Sequence, residues 1–136
     1  MEKAKSIAVN MAVIALLTVL LVWGNTWYRQ WTQFNKGERA LAGNDVIAAI
    51  AGYESAIHMY TPLSPLVERS AEKLWEITRK CEEKGDAERA LIACRSLRSS
   101  FYAVRWLYQP GKPWIARSDA KIAELMKTRE NMQQAR

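Results

Sequence analysis

The chain has 136 residues and a formal net charge of +6, with 20 lysines and arginines against 14 acidic residues and one histidine. That length holds one domain of roughly a hundred residues beside a membrane segment, and a basic balance suits anionic lipid headgroups or an acidic protein surface. Two cysteines, Cys81 and Cys94, are too few and too separated for a disulfide framework or a zinc site.

From Ile7 to Trp23 the sequence carries no charge, and only Asn10 and Thr18 interrupt it with polarity. Extended to Tyr28 it reaches about 22 residues, enough to cross a bilayer core of about 30 Å as a helix. Trp23, Trp27 and Trp31 follow at helical spacing with Tyr28 beside them, as an aromatic belt at the headgroup level would. A cleaved signal peptide and a buried soluble helix are the competing readings. The first needs small residues where Gly24-Asn25-Thr26-Trp27-Tyr28 is bulky, and the second needs no apolar run this complete. Residues 1–33 are therefore read as stub, membrane helix (about 7–28) and belt, and 34–136 as an extramembrane domain. Lys3, Lys5 and the terminal amine nearly balance Arg29, Lys36 and Arg39 across the apolar run. The short charged stub favours a cytoplasmic N-terminus in a bacterial inner membrane, with the domain periplasmic or extracellular. On that side nucleic acid is not an expected partner.

In the domain, Asn44-Asp45 offers a helix cap before a stripe of Val46, Ile50, Tyr53, Ile57 and Tyr60. Ser64-Pro65 restarts a helix striped by Val67, Ala71, Leu74, Ile77 and Cys81, with Glu76 and Lys80 paired four apart. Gly85-Asp86 ends it and caps another, expected to be the longest of the domain, striped by Ala90, Ala93, Leu97, Phe101, Val104 and Tyr108. Pro110 to Pro113 breaks that helix. A last one is expected from Trp114 up to a polar tail that begins near Thr128. Nothing alternates as a strand would, so the fold class is all-α: one membrane helix followed by a four-helix domain.

Tyr60-Thr61-Pro62-Leu63-Ser64-Pro65 recurs 48 positions later as Tyr108-Gln109-Pro110-Gly111-Lys112-Pro113. The match continues through Val67 and Ile115, Arg69 and Arg117, Ser70 and Ser118, and backwards through Tyr53 and Phe101. The unit is helix, Y-x-P-x-x-P corner, helix, used twice. Neither copy can bury its apolar stripe alone, so the two are expected to stack. Gly85-Asp86-Ala87-Glu88-Arg89-Ala90 resembles the turn and second-helix start of a tetratricopeptide repeat, and Gly43-Asn44-Asp45 with Ala48, Tyr53 and Ala56 is a fainter version. The glycine spacing of 42 departs from that family's period of 34, and Arg39 and Cys81 stand where its aromatic would. The resemblance implies two stacked helical hairpins and a protein- or peptide-binding surface.

Chemistry is sought and not found. His58 lies off the apolar stripe without partners at matched spacing, which suits a surface histidine. No phosphate loop, serine elbow or metal motif is present, so no catalytic residue, metal ligand or cofactor is expected. The Y-x-P-x-x-P segments read as corners rather than polyproline ligands, because each sits where one stripe stops and another starts. Arg69 and Arg117 each oppose a helix macrodipole from its first turn, and either satisfy corner carbonyls or face an anion.

The function these readings imply is a non-catalytic accessory, scaffolding or assembly subunit of an inner-membrane complex. A lipid- or cell-wall-associated binding protein is the alternative. With helices alternating up and down, both corners should return toward the membrane. There Arg105, Trp106, Tyr108, Lys112, Trp114 and Arg117, with Arg69, would meet headgroups or a partner, and Arg95 and Arg98 add to the basic surface.

Overall fold

A computed structural model describes residues 1–135 as five helices, with no strand among the described residues. Helix α1 (Glu2–Ala42) is one uninterrupted rod, followed by α2 (Val46–His58), α3 (Pro65–Glu83), α4 (Ala87–Ala103) and α5 (Lys112–Gln134). The first 25 residues of α1 and its flank lie in the open, and the 18-residue apolar window within it is long enough to cross a membrane and entirely unburied.

The core begins earlier than the expected boundary at residue 34. Gln30, Phe34 and Gly37 are buried, so the last third of α1 belongs to the domain. It packs closely along α2, which makes the expected four-helix domain a five-helix one. The close pairs are α1 with α2 and α3 with α4, each across a short turn, and α5 covers α4. The turns follow from side-chain capping: Asp45 Oδ1 accepts from Ala48 N and Asp86 Oδ1 from Arg89 N, each at 3.0 Å. In the first pair the backbones nearly touch. A methyl on Gly52 would stand 2.5 Å from Gly37 N, and the Tyr53 ring stands where a Cβ on Gly37 would lie.

Stripes in α2, α3 and α4 meet in one core, with Tyr53, Ile57, Leu74, Leu91, Leu97 and Phe101 among its fully enclosed side chains. Two helix ends differ from expectation. Helix α4 stops at Ala103, not Tyr108, so it is not the longest of the domain; α3 and α5 both exceed it. The Gln109 amide turns back to donate to Phe101 O at 2.7 Å, closing the helix end. Helix α5 begins at Lys112 and continues through the polar tail to Gln134, while Arg136 lies outside the described residues.

Both cysteines are free and buried, Cys81 on α3 and Cys94 on α4. Cys94 Sγ contacts Ser118 O at 3.6 Å, and burial pushes its thiol up to about 11 from an ordinary 9.0. The native protein should therefore resist thiol reagents at pH 8 and titrate two thiols once unfolded without reductant. Because the folded value is the higher, this contribution to stability is intact below about pH 9 and is lost as pH rises toward 11. Rapid labelling of the native protein would contradict the burial, and fewer than two thiols after unfolding would contradict the free pair.

Candidate functional site

The two corners come together at the end of the domain from which the apolar part of α1 emerges. In the first, Ser64 N donates to Thr61 O at 3.0 Å, closing a turn with Pro62 and Leu63 at its centre. Leu63 has φ +67°, the left-handed region that a turn of this type gives to glycine. Its repeat partner Gly111 has φ +66°, so the 48-residue repeat holds in the backbone as well as in the sequence. At Gly111 a side chain would strike the Phe101 ring, whereas Leu63 projects into the open and is 100% exposed. A leucine held there costs about 1–3 kcal/mol that glycine would not.

One buried side chain positions this corner. Gln30 of α1 donates from Nε2 to Ala56 O at 2.9 Å, satisfying one of the last carbonyls of α2. Its Oε1 accepts from Ser64 Oγ at 2.6 Å, and Ser64 in turn caps α3 by accepting from Leu66 N at 3.3 Å. The end of α2 and the start of α3 are thereby tied to α1 within the belt segment, beside Trp31. Tyr60, Thr61 and Pro62 then face Val19, Val22, Trp23 and Thr26 across a mostly apolar cleft of about 400 Å³. The hydroxyls of Tyr60 and Tyr108 meet at 2.8 Å and tie the second corner to the first. That contact, and partial burial, raise the Tyr60 phenol above its ordinary pKa.

The belt residues Trp23, Trp27, Tyr28 and Trp31 are all exposed, and the first two rings pack with centroids 5.3 Å apart. Arg105, Trp106, Tyr108 and Lys112 are exposed at the corner end, with Trp106 at 85% and the neighbouring Leu107 at 82%. Trp114 is not among them. It is 9% exposed, donates from Nε1 to Glu68 Oε1 at 2.9 Å, and packs its ring against Trp75. Because α4 stops early, the chain turns before α5 and carries Trp114 inward while Trp106 stays on the outside.

Among the described residues neither Arg69 nor Arg117 hydrogen-bonds a corner carbonyl, and both are exposed. The Arg69 guanidinium lies 4.9 Å from the Phe34 ring of α1, and that of Arg117 lies 4.9 Å from Trp114 and 5.4 Å from Trp75. Arg69 lies on a ring of the helix two before its own, and Arg117 on Trp114 of its own helix and Trp75 of α3, cation–π placements worth about 0.5–1 kcal/mol at an exposed site. The repeated arginine thus clamps α3 to α1 and α5 to α3. Arg98 pairs with Asp119 of α5, and Arg95 Nη2 lies 3.4 Å from Met126 Sδ. His58 is exposed, 3.9 Å from Glu54.

Midway along α2 and α3, Tyr53 donates to Glu38 Oε1 at 2.6 Å, and Lys73 reaches the same oxygen at 3.4 Å. Burial and the Glu38 carboxylate hold the Tyr53 phenol well above its ordinary range. No group of three or more His, Cys, Asp or Glu side chains gathers into a metal site among the described residues. Gln30, Leu63 and Leu107 are the residues of this site that sequence reasoning missed. Only the repeat could have marked Leu63, by aligning it with a glycine. Comparison with protein-family models, curated proteins and solved structures finds no match to this chain.

Proposed function

We propose that this chain is a non-catalytic, single-pass membrane protein serving as an accessory or assembly subunit of a bacterial inner-membrane complex. On this reading α1 spans the bilayer with a cytoplasmic N-terminus, and the tetratricopeptide-like hairpins α1–α2 and α3–α4 stand outside it. The observation that carries the proposal is the state of α1: its whole apolar window is unburied within the chain, yet the same helix continues into the domain core. Within that window Thr18 donates its hydroxyl to Ile14 O at 2.9 Å, and beyond it Thr26 does the same to Val22 O. The exposed Asn10 amide has no such bond among the described residues. An amide in hydrocarbon is best satisfied by a polar group on a neighbouring span.

Purification from native membranes in mild detergent should bring partner membrane proteins in fixed ratio. Asn10→Leu should lower their recovery about threefold, from the ~0.6 kcal/mol typical of an interhelical hydrogen bond. Recovery of the chain alone, under every mild extraction condition, would refute the reading.

A further inference from the structure

We infer that the two corner loops are seated in the headgroup layer of the membrane that holds α1, with Leu63, Trp106 and Leu107 immersed at its apolar boundary. The inference rests on the reading of α1 as a span, and three observations support it independently of one another.

The first is position. The first corner lies beside Val19 to Thr26 of α1, the outgoing end of the apolar run and the start of the aromatic belt. If α1 crosses the bilayer, that stretch is at the interface, and the corner beside it shares its depth. The second corner is held at the same end by the Tyr60–Tyr108 hydroxyl contact.

The second is chemistry. Leu63, Trp106 and Leu107 are the most exposed large apolar side chains of the domain, at 100%, 85% and 82%, and all three lie on these two loops. Arg105 immediately precedes Trp106, Lys112 opens α5 at the end of the same loop, and both are exposed. An amphipathic indole and leucines next to long basic chains match a boundary between acyl chains and phosphates.

The third is backbone conformation. Equivalent corners hold equivalent left-handed residues, yet only the second uses glycine. The first places a leucine there, gaining no contact within the domain for it. Immersion in lipid gives that side chain an apolar environment which the fold does not provide.

The test uses the full chain in vesicles of phosphatidylethanolamine and phosphatidylglycerol. An environment-sensitive fluorophore is attached to Leu63→Cys, Leu107→Cys, Leu17→Cys or Asn131→Cys in turn, since Cys81 and Cys94 are buried. Labels at 63 and 107 should emit to the blue of the label at 131, lose intensity to a spin-labelled lipid, and resist iodide. If the label at 17 is quenched from the lipid while those at 63 and 107 respond only to iodide, the loops stand in water. The seating is then wrong and the span reading survives. If 63 and 107 resist both quenchers, a protein surface covers them and the lipid assignment is likewise overturned. A label at 17 that escapes the lipid quencher overturns the span itself.

Discussion

Gly52→Ala is expected to destabilise the domain by about 3 kcal/mol, a large share of the ~5–15 kcal/mol that holds a typical domain together. The added methyl would lie 2.5 Å from Gly37 N and 2.7 Å from Gly37 Cα. Those are backbone atoms of α1, so no change of rotamer relieves the overlap. Nor can α1 recede freely, because that would lift Gly37 off the Tyr53 ring and pull Glu38 from the Tyr53 hydroxyl. The helices must separate along the most extensive contact in the domain. Chemical denaturation in detergent, followed through tryptophan emission, measures the loss. Gly24→Ala is the internal control: nothing lies within 4 Å of its added carbon, so only the higher helix propensity of alanine remains. A Gly52→Ala protein as stable as the parent would mean that α1 and α2 do not cross this closely.

Gln30→Leu should cost a similar amount, about 3 kcal/mol, for a different reason. Leucine fills most of the volume but strands the buried Ala56 O, at about 1–3 kcal/mol, and leaves the part-buried Ser64 hydroxyl without its acceptor. Ser64 recovers part of this by turning outward, but Ala56 O cannot, because α2 ends at His58 before it gains a full set of helical partners. Gln30→Glu keeps an acceptor for Ser64, loses the donor to Ala56 and buries a charge, so it should destabilise at least as much. Hydrogen exchange distinguishes local from global effects. Amides at the start of α3 should lose protection in both variants well before those of α4. Unchanged exchange there would mean that Gln30 does not hold the corner.

The corners were legible because proline pairs interrupt helical stripes, and their return to the α1 end followed from the parity of antiparallel helices. The caps at Asp45 and Asp86 were equally plain, being local chemistry of one turn. What the sequence concealed depends on partners far along the chain. Trp106 and Trp114 look alike in composition and neighbourhood. Their fates separate only because α4 ends at Ala103 and because Glu68, 46 residues from Trp114, waits for its indole. Gln30 reads as one more polar residue beside an aromatic belt, since its two acceptor and donor partners lie 26 and 34 positions away. Repetition singled out Arg69 and Arg117, but their aromatic partners Phe34 and Trp75 sit outside the repeat register, so periodicity offered no route to them.

Helix α1 has no joint between its apolar segment and the core it enters at Gln30. A domain on a loose linker is indifferent to how its anchor lies. Here, on the proposed insertion, the angle of the anchor is the angle of the domain. A span lengthened relative to a thinner bilayer tilts, commonly by about 20°. From Gln30 to Ala42 the rigid arm is about 18 Å, so such a tilt carries its tip sideways by some 6 Å. Loops resting on the lipid would oppose the swing on one side and permit it on the other. The thickness of the membrane would thus set which face of α3 and α5 is presented to a neighbour.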